Sequence, residues 1–96
     1  MTRPPRLDPG TVDQALAAAG SPWVRSGEHL ELERRFETFS DAVAFVNEVA
    51  ALAEEADHHP DIEIHWNEVV LRLWTHTAGG VTQLDLELAR RIDALA

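Results

Sequence analysis

The sequence predicts an α+β domain in which three helices cover one face of a four-stranded antiparallel sheet, in the order α-β-β-α-β-β-α. Two observations carry this. Two pairs of segments repeat apolar residues at every second position, and three segments repeat them with the helical period, each bounded by turn or capping residues. At 96 residues the chain has length for one core, so residues 1–96 are read as a single domain with one site to find.

Residues 1–10 hold three of the five prolines and a glycine, and read as an extended arm. Thr11 and Gln14 have the capping-box spacing, so the first helix is expected to open at Thr11. Val12, Ala15, Leu16 and Ala19 share one of its faces, and Gly20 stops it. Trp23-Val24-Arg25 is a short strand and Ser26-Gly27-Glu28 its turn. In the return strand Leu30, Leu32, Arg34 and Phe36 alternate with Glu31, Glu33 and Arg35.

Ser40 is the natural N-cap of the longest helix, with Asp41 near the positive end of its dipole. Ala42, Phe45, Val46, Val49, Ala53 and Ala56 form its stripe. Val43, Ala50 and Leu52 widen the apolar surface beyond one face, which predicts deep burial or a second subunit. Pro60 disfavours helical geometry at His59, so the helix must finish at the histidine pair. Beyond it Ile62, Ile64 and Trp66 alternate with Glu63, His65 and Asn67. A turn at Asn67-Glu68 would pair Trp66 with Val69, set Ile64 against Leu71 and Glu63 against Arg72, and satisfy both faces. Gly79-Gly80 marks the exit. Thr82 and Asp85 open a last helix with a seam of Leu84, Leu88, Ile92 and Leu95.

Eight basic and seventeen acidic residues leave a net charge of −9, which repels a phosphate backbone and favours a neutral or cationic ligand. There is no cysteine, which removes disulfides, thiolate zinc sites and cysteine nucleophiles. The serines are turn or cap residues, outside any nucleophile-elbow sequence, and no phosphate-cradling glycine loop follows a strand. Arg3 and Arg6 precede no apolar stretch and no run reaches membrane-spanning length, so a cytoplasmic location without a signal or membrane anchor is expected.

Chemistry concentrates between Glu54 and Asp85, where four of the five histidines and two of the three tryptophans lie. Glu54 and His58 are one helical turn apart, and His58 sits at the negative end of the dipole, which suits a general acid; a C-capping histidine in a surface ion pair would look the same. His59 is forced out of the helix by Pro60, and His76 ends a strand, at the rim of the sheet. A metal centre is disfavoured because adjacent histidines rarely share one ion and the helical His-x-x-x-His pairing is absent. Asp85 belongs to the first turn of the last helix. Trp66 alternates with Ile62 and Ile64, as a core residue or at most a pocket wall, with Trp74 on the opposite face.

The pattern Glu54, Asp57-His58-His59-Pro60, Trp66, Thr75-His76 and Asp85 resembles the signature of the pterin-4a-carbinolamine dehydratases, over roughly residues 7–95. The resemblance implies the same α+β architecture and the dehydration of a 4a-hydroxytetrahydropterin to a quinonoid dihydropterin, without metal or organic cofactor. It implies His58 and His76 as the acid and base groups, His59 as a catalytic residue that also holds the pterin, and Glu54 orienting and charging His58. Asp57, Pro60, Trp66, Thr75 and Asp85 would complete the substrate site. It further implies a homodimer or homotetramer, and a place beside an aromatic amino acid hydroxylase, whose pterin the reaction recycles. A non-catalytic protein-interaction role on the same fold is the competing expectation, since some relatives act as transcription-factor partners or assembly helpers.

Overall fold

The computed structural model describes residues 4–95. The first three positions of the expected arm lie outside the described residues. Pro4 to Asp8 carry no regular structure, and the Leu7 amide donates to the Val81 carbonyl at 2.8 Å, which ties the segment to the loop before the last helix. Helix α1 spans Pro9–Ala19, two residues earlier than the Thr11 start. Asp8 is its cap, accepting from the Gly10 amide at 3.0 Å. Pro9, lacking an N–H and fixed near helical φ, suits the first turn. Of the predicted face Val12 is fully buried, Ala15 and Leu16 are half-buried, and Ala19 is exposed.

Strand β1 (Val24–Ser26) pairs with β2 (His29–Arg35) across a two-residue turn at Gly27-Glu28, with Gly27 at φ 61°. Trp23 precedes β1 and is buried, its indole N–H donating to Asp93 at 2.8 Å. Helix α2 spans Phe39–Ala56 and is capped by Thr38, not Ser40, because the Thr38 hydroxyl reaches the Asp41 amide at 3.0 Å. Ala42, Phe45, Val49 and Ala53 are its buried stripe.

Strands β3 (Asp61–His65) and β4 (Glu68–Leu73) complete an antiparallel sheet of order β1-β2-β4-β3. Their hairpin departs from the expected register. The turn is Trp66-Asn67, so Ile64 pairs with Val69 and Ile62 with Leu71. The slip is two residues, which leaves every side chain on its expected face. The selecting contact is distant in sequence. Phe36, just past β2, donates its amide to the Asn67 carbonyl at 2.8 Å and accepts from the Asn67 side chain at 2.7 Å. Trp66 is therefore neither core nor strand; it sits at the hairpin tip with φ 55° and is 72% exposed.

Leu30, Leu32, Val69, Leu71 and Leu73 form the sheet's contribution to the core, closed by Val12, Trp23, Phe45 and Val49 and by α3 (Gln83–Asp93). The opposite face carries Glu31, Arg72 and Glu63. Arg72 lies opposite Glu31 on β2 and Asp61 on β3, and its guanidinium bonds Glu31 and, diagonally, Glu63. Hydrogen bonds from His65 and then Arg72 hold the Glu63 carboxyl below its usual range. No helix among the described residues is long and apolar enough to cross a membrane.

Candidate active site at the end of the long helix

The site begins where α2 stops. Asp57 takes the left-handed conformation (φ 51°, ψ 44°) usual for glycine at this position. The Asp57 and His58 amides fold back onto the Glu54 and Ala53 carbonyls at 3.2 and 3.0 Å, closing the helix. This reversal sends the two histidines to opposite sides.

His58 turns inward and is 7% exposed. Its Nε2 lies 2.5 Å from Oδ1 of Asp85, which is fully buried. The other Asp85 oxygen accepts from the Thr75 hydroxyl at 2.9 Å and the Thr82 amide at 2.8 Å. One carboxylate thus completes the Thr82–Asp85 capping box of α3, ties down the end of β4, and fixes His58. A carboxylate only accepts, so the pairing places a proton on Nε2 and leaves Nδ1 as the ring nitrogen available to a ligand.

His59 turns outward. Its Nε2 is 2.8 Å from Glu54 Oε1, with both side chains largely exposed. This corrects the expected Glu54–His58 pair: the left-handed residue rotates His58 off the Glu54 side of the helix and swings His59 back over it. His76 opens a single 3-10 turn, His76–Ala78, just past β4. Its ring stacks on Trp74 with centroids 3.9 Å apart and planes inclined by 26°.

These side chains enclose a hollow of about 250 Å³ lined by Asp57, His58, His59, Trp74, Thr75, His76 and Thr77. That is just below the roughly 300–1,000 Å³ of clefts that take drug-sized ligands. All three predicted histidines, with Asp57 and Thr75, converge on it. Glu54 and Asp85 stand behind it, each bonded to one histidine. Pro60 and Trp66 are not part of its lining. Trp74 and Thr77 line it although the sequence reading did not place them there. The available signal was the Trp74-Thr75-His76 alternation: positions i and i+2 share a face, so a histidine at the rim implies its tryptophan neighbour.

A larger cleft, about 610 Å³, lies between the end of α1 and α3, but it is lined mostly by Ala, Leu and Pro and contains no histidine. Its edge residue Asp93 has a carboxyl raised by partial burial, against the hydrogen bond from Trp23 and the charge of Arg34. Among the described residues no three histidine, aspartate or glutamate side chains are placed to hold a metal ion together. Of these two clefts the smaller is the one lined by histidines.

A sequence model of the pterin 4 alpha carbinolamine dehydratase family matches residues 5–95. The chain belongs to this family. Among pterin 4 alpha carbinolamine dehydratase relatives, it is 50% identical over 91 residues to a Thermomicrobium roseum protein, covering 95% of this chain and 97% of the relative. A Natronomonas pharaonis protein is 44% identical over 86 residues, 90% and 94% of the two chains. Both carry the name pterin-4-alpha-carbinolamine dehydratase provisionally. The crystal structure of a transcriptional coactivator/pterin dehydratase from Brucella melitensis superposes with a TM-score of 0.86 at 35% identity, covering 95% of this chain and 98% of that one. A pterin dehydratase-like protein described as a RuBisCO assembly factor of the alpha-carboxysome superposes at 0.66 with 30% identity, over 77% and 88%. The family fold is thus the α-β-β-α-β-β-α sandwich expected from the sequence.

Proposed function

We propose that this protein dehydrates a 4a-hydroxytetrahydropterin to the quinonoid dihydropterin and water. The observation that carries the reading is the hollow walled by three imidazoles, drawn from a helix end and a strand end. In the reaction the 4a-hydroxyl accepts a proton, the carbon–oxygen bond breaks, and water departs. The lone pair of the neighbouring ring nitrogen forms the new double bond, and the proton of that nitrogen passes to a base. One acid and one base flanking a flat ring supply what the step needs.

His58, with Nε2 committed to Asp85, offers Nδ1 as the base that takes the ring-nitrogen proton. His76, exposed on the other side of the hollow, protonates the leaving hydroxyl. His59, steadied by Glu54, holds the pterin at the rim. Asp57, which lines the hollow, accepts from the amino and ring N–H donors of the pterin's pyrimidine half, in keeping with a chain that carries a net charge of −9. The ring supplies the electrons, so the step draws on no metal or organic cofactor. A tetrahydropterin-dependent aromatic hydroxylase is the class of enzyme whose product this reaction would return to use.

The test is conversion of the carbinolamine by His58→Ala, His76→Ala and the double variant, each checked for folding. Large losses of rate are expected in all three. A folded double variant with wild-type rate refutes the assignment. A relative described as an assembly factor shares this fold, and a binding role without catalysis makes a different prediction: 7,8-dihydrobiopterin would leave the melting temperature unchanged, whereas a pterin enzyme is stabilised by its ligand.

A further inference from the structure

Two of the three imidazoles in the hollow are held by a carboxylate, His58 by Asp85 and His59 by Glu54. For His76 no hydrogen bond to either ring nitrogen is present among the described residues; what its ring meets is the indole of Trp74, 3.9 Å between centroids and within 26° of parallel. The backbone explains why these two rings meet. Thr75 between them is 2% exposed and locked inward, its hydroxyl on Asp85 and Thr82 and its amide on the Gly80 carbonyl at 2.9 Å. With Thr75 fixed from both its side chain and its backbone, Trp74 and His76 are displayed together on the opposite side, where they wall the hollow.

We propose that Trp74 is the positioning residue of His76, clamping the imidazole face-on so that its ring nitrogens stay free, one for the substrate and the other for exchange with water. This inference rests on the dehydratase reading. Stacking suits the task in a way a carboxylate does not. A hydrogen-bonded partner occupies one ring nitrogen, as Asp85 does on His58, whereas an indole restrains the ring and occupies none. An acid that must be reprotonated from solvent at each turnover keeps its second nitrogen open.

The experiment compares wild type, Trp74→Phe and Trp74→Ala in carbinolamine turnover, with the imidazole proton resonances of His76 followed by NMR. Trp74→Ala is expected to lower kcat by about 10- to 100-fold, in line with the cost of losing orientation at a reacting group, while KM changes less. Trp74→Phe, which keeps an aromatic face, should stay within about threefold of wild type. The His76 ring protons should lie upfield in wild type, under the indole, and move downfield in Trp74→Ala while those of His58 stay in place. A folded Trp74→Ala with wild-type kcat, a loss confined to KM, or a Trp74→Phe as slow as Trp74→Ala each overturns the positioning role. A wild type that does not turn over the carbinolamine overturns the dehydratase reading and this inference with it. An active wild type with an equally active Trp74→Ala overturns this inference alone.

Discussion

Replacing Asp85 by asparagine isolates the buried pairing on which the site depends. The amide oxygen can take over the hydrogen bonds from the Thr75 hydroxyl and the Thr82 amide, at 2.9 and 2.8 Å in the native protein. That orientation turns the amide nitrogen toward His58, where the native contact is 2.5 Å, and sets two donors against each other. If the imidazole withdraws, its Nε2–H is left buried and unpaired, at a cost of about 1–3 kcal/mol. If its proton moves to Nδ1 instead, the bond is restored but the hollow receives a donor where the reaction needs an acceptor. Either way the rate should fall by about 100- to 10,000-fold, the range associated with a positioned acid or base. Asp85→Ala is worse for the fold, because it strands both the Thr82 amide and His58 Nε2, roughly 2–6 kcal/mol for two buried donors. A domain of this size has about 5–14 kcal/mol in total. Urea unfolding at pH 7 and single-substrate turnover read the two effects separately. An Asp85→Asn protein that dehydrates at the native rate, or that is less stable than Asp85→Ala, refutes this account.

Three further perturbations test other parts of the structure. Glu54→Ala removes the hydrogen-bond acceptor from an exposed pair, so stability should change by less than about 0.5 kcal/mol. Its KM should rise about fivefold, the worth of one net hydrogen bond, as His59 loses its steadying partner; a rise in rate or an unchanged KM counts against His59 as the pterin holder. Asp93→Asn keeps an acceptor for the Trp23 indole but removes a carboxyl whose pKa is raised by partial burial above the ordinary 3.8. The folded state holds that proton more tightly than the unfolded state, so stability is lost as pH rises through the window between the ordinary and the raised value. The variant should therefore exceed wild type at pH 7 by a few tenths of a kcal/mol, discounted for solvent screening, and match it below about pH 3. A gap that widens on acidification contradicts the sign. Trp66→Gly releases a bulky residue from φ 55° at an exposed hairpin tip. Left-handed geometry costs about 1–2 kcal/mol and glycine's extra chain entropy returns about half, so the urea midpoint should rise by the equivalent of about 0.5–1 kcal/mol; a lower midpoint would assign the indole a packing role.

The alternation of Leu30, Leu32 and Arg34 and the helical repeat of Ala42, Phe45 and Val49 are local signals, and the architecture followed from them. The clustering of His58, His59 and His76 was legible for the same reason: a helix end and a strand end fix where their side chains emerge. What lay beyond the sequence were choices between equivalent local solutions. A hairpin slipped by two residues presents the same faces, and only the Phe36 backbone, brought alongside by β2, selected the Trp66-Asn67 turn. Glu54 is one turn from His58, yet a left-handed Asp57 gave it His59 instead, while His58 was claimed by a carboxylate 27 residues away. Periodicity sorts residues between the inside and the outside of an element. Which buried acid meets which base is decided when helix α3 docks against the end of β4, because only then do Asp85, Thr75 and His58 share a space from which water is excluded.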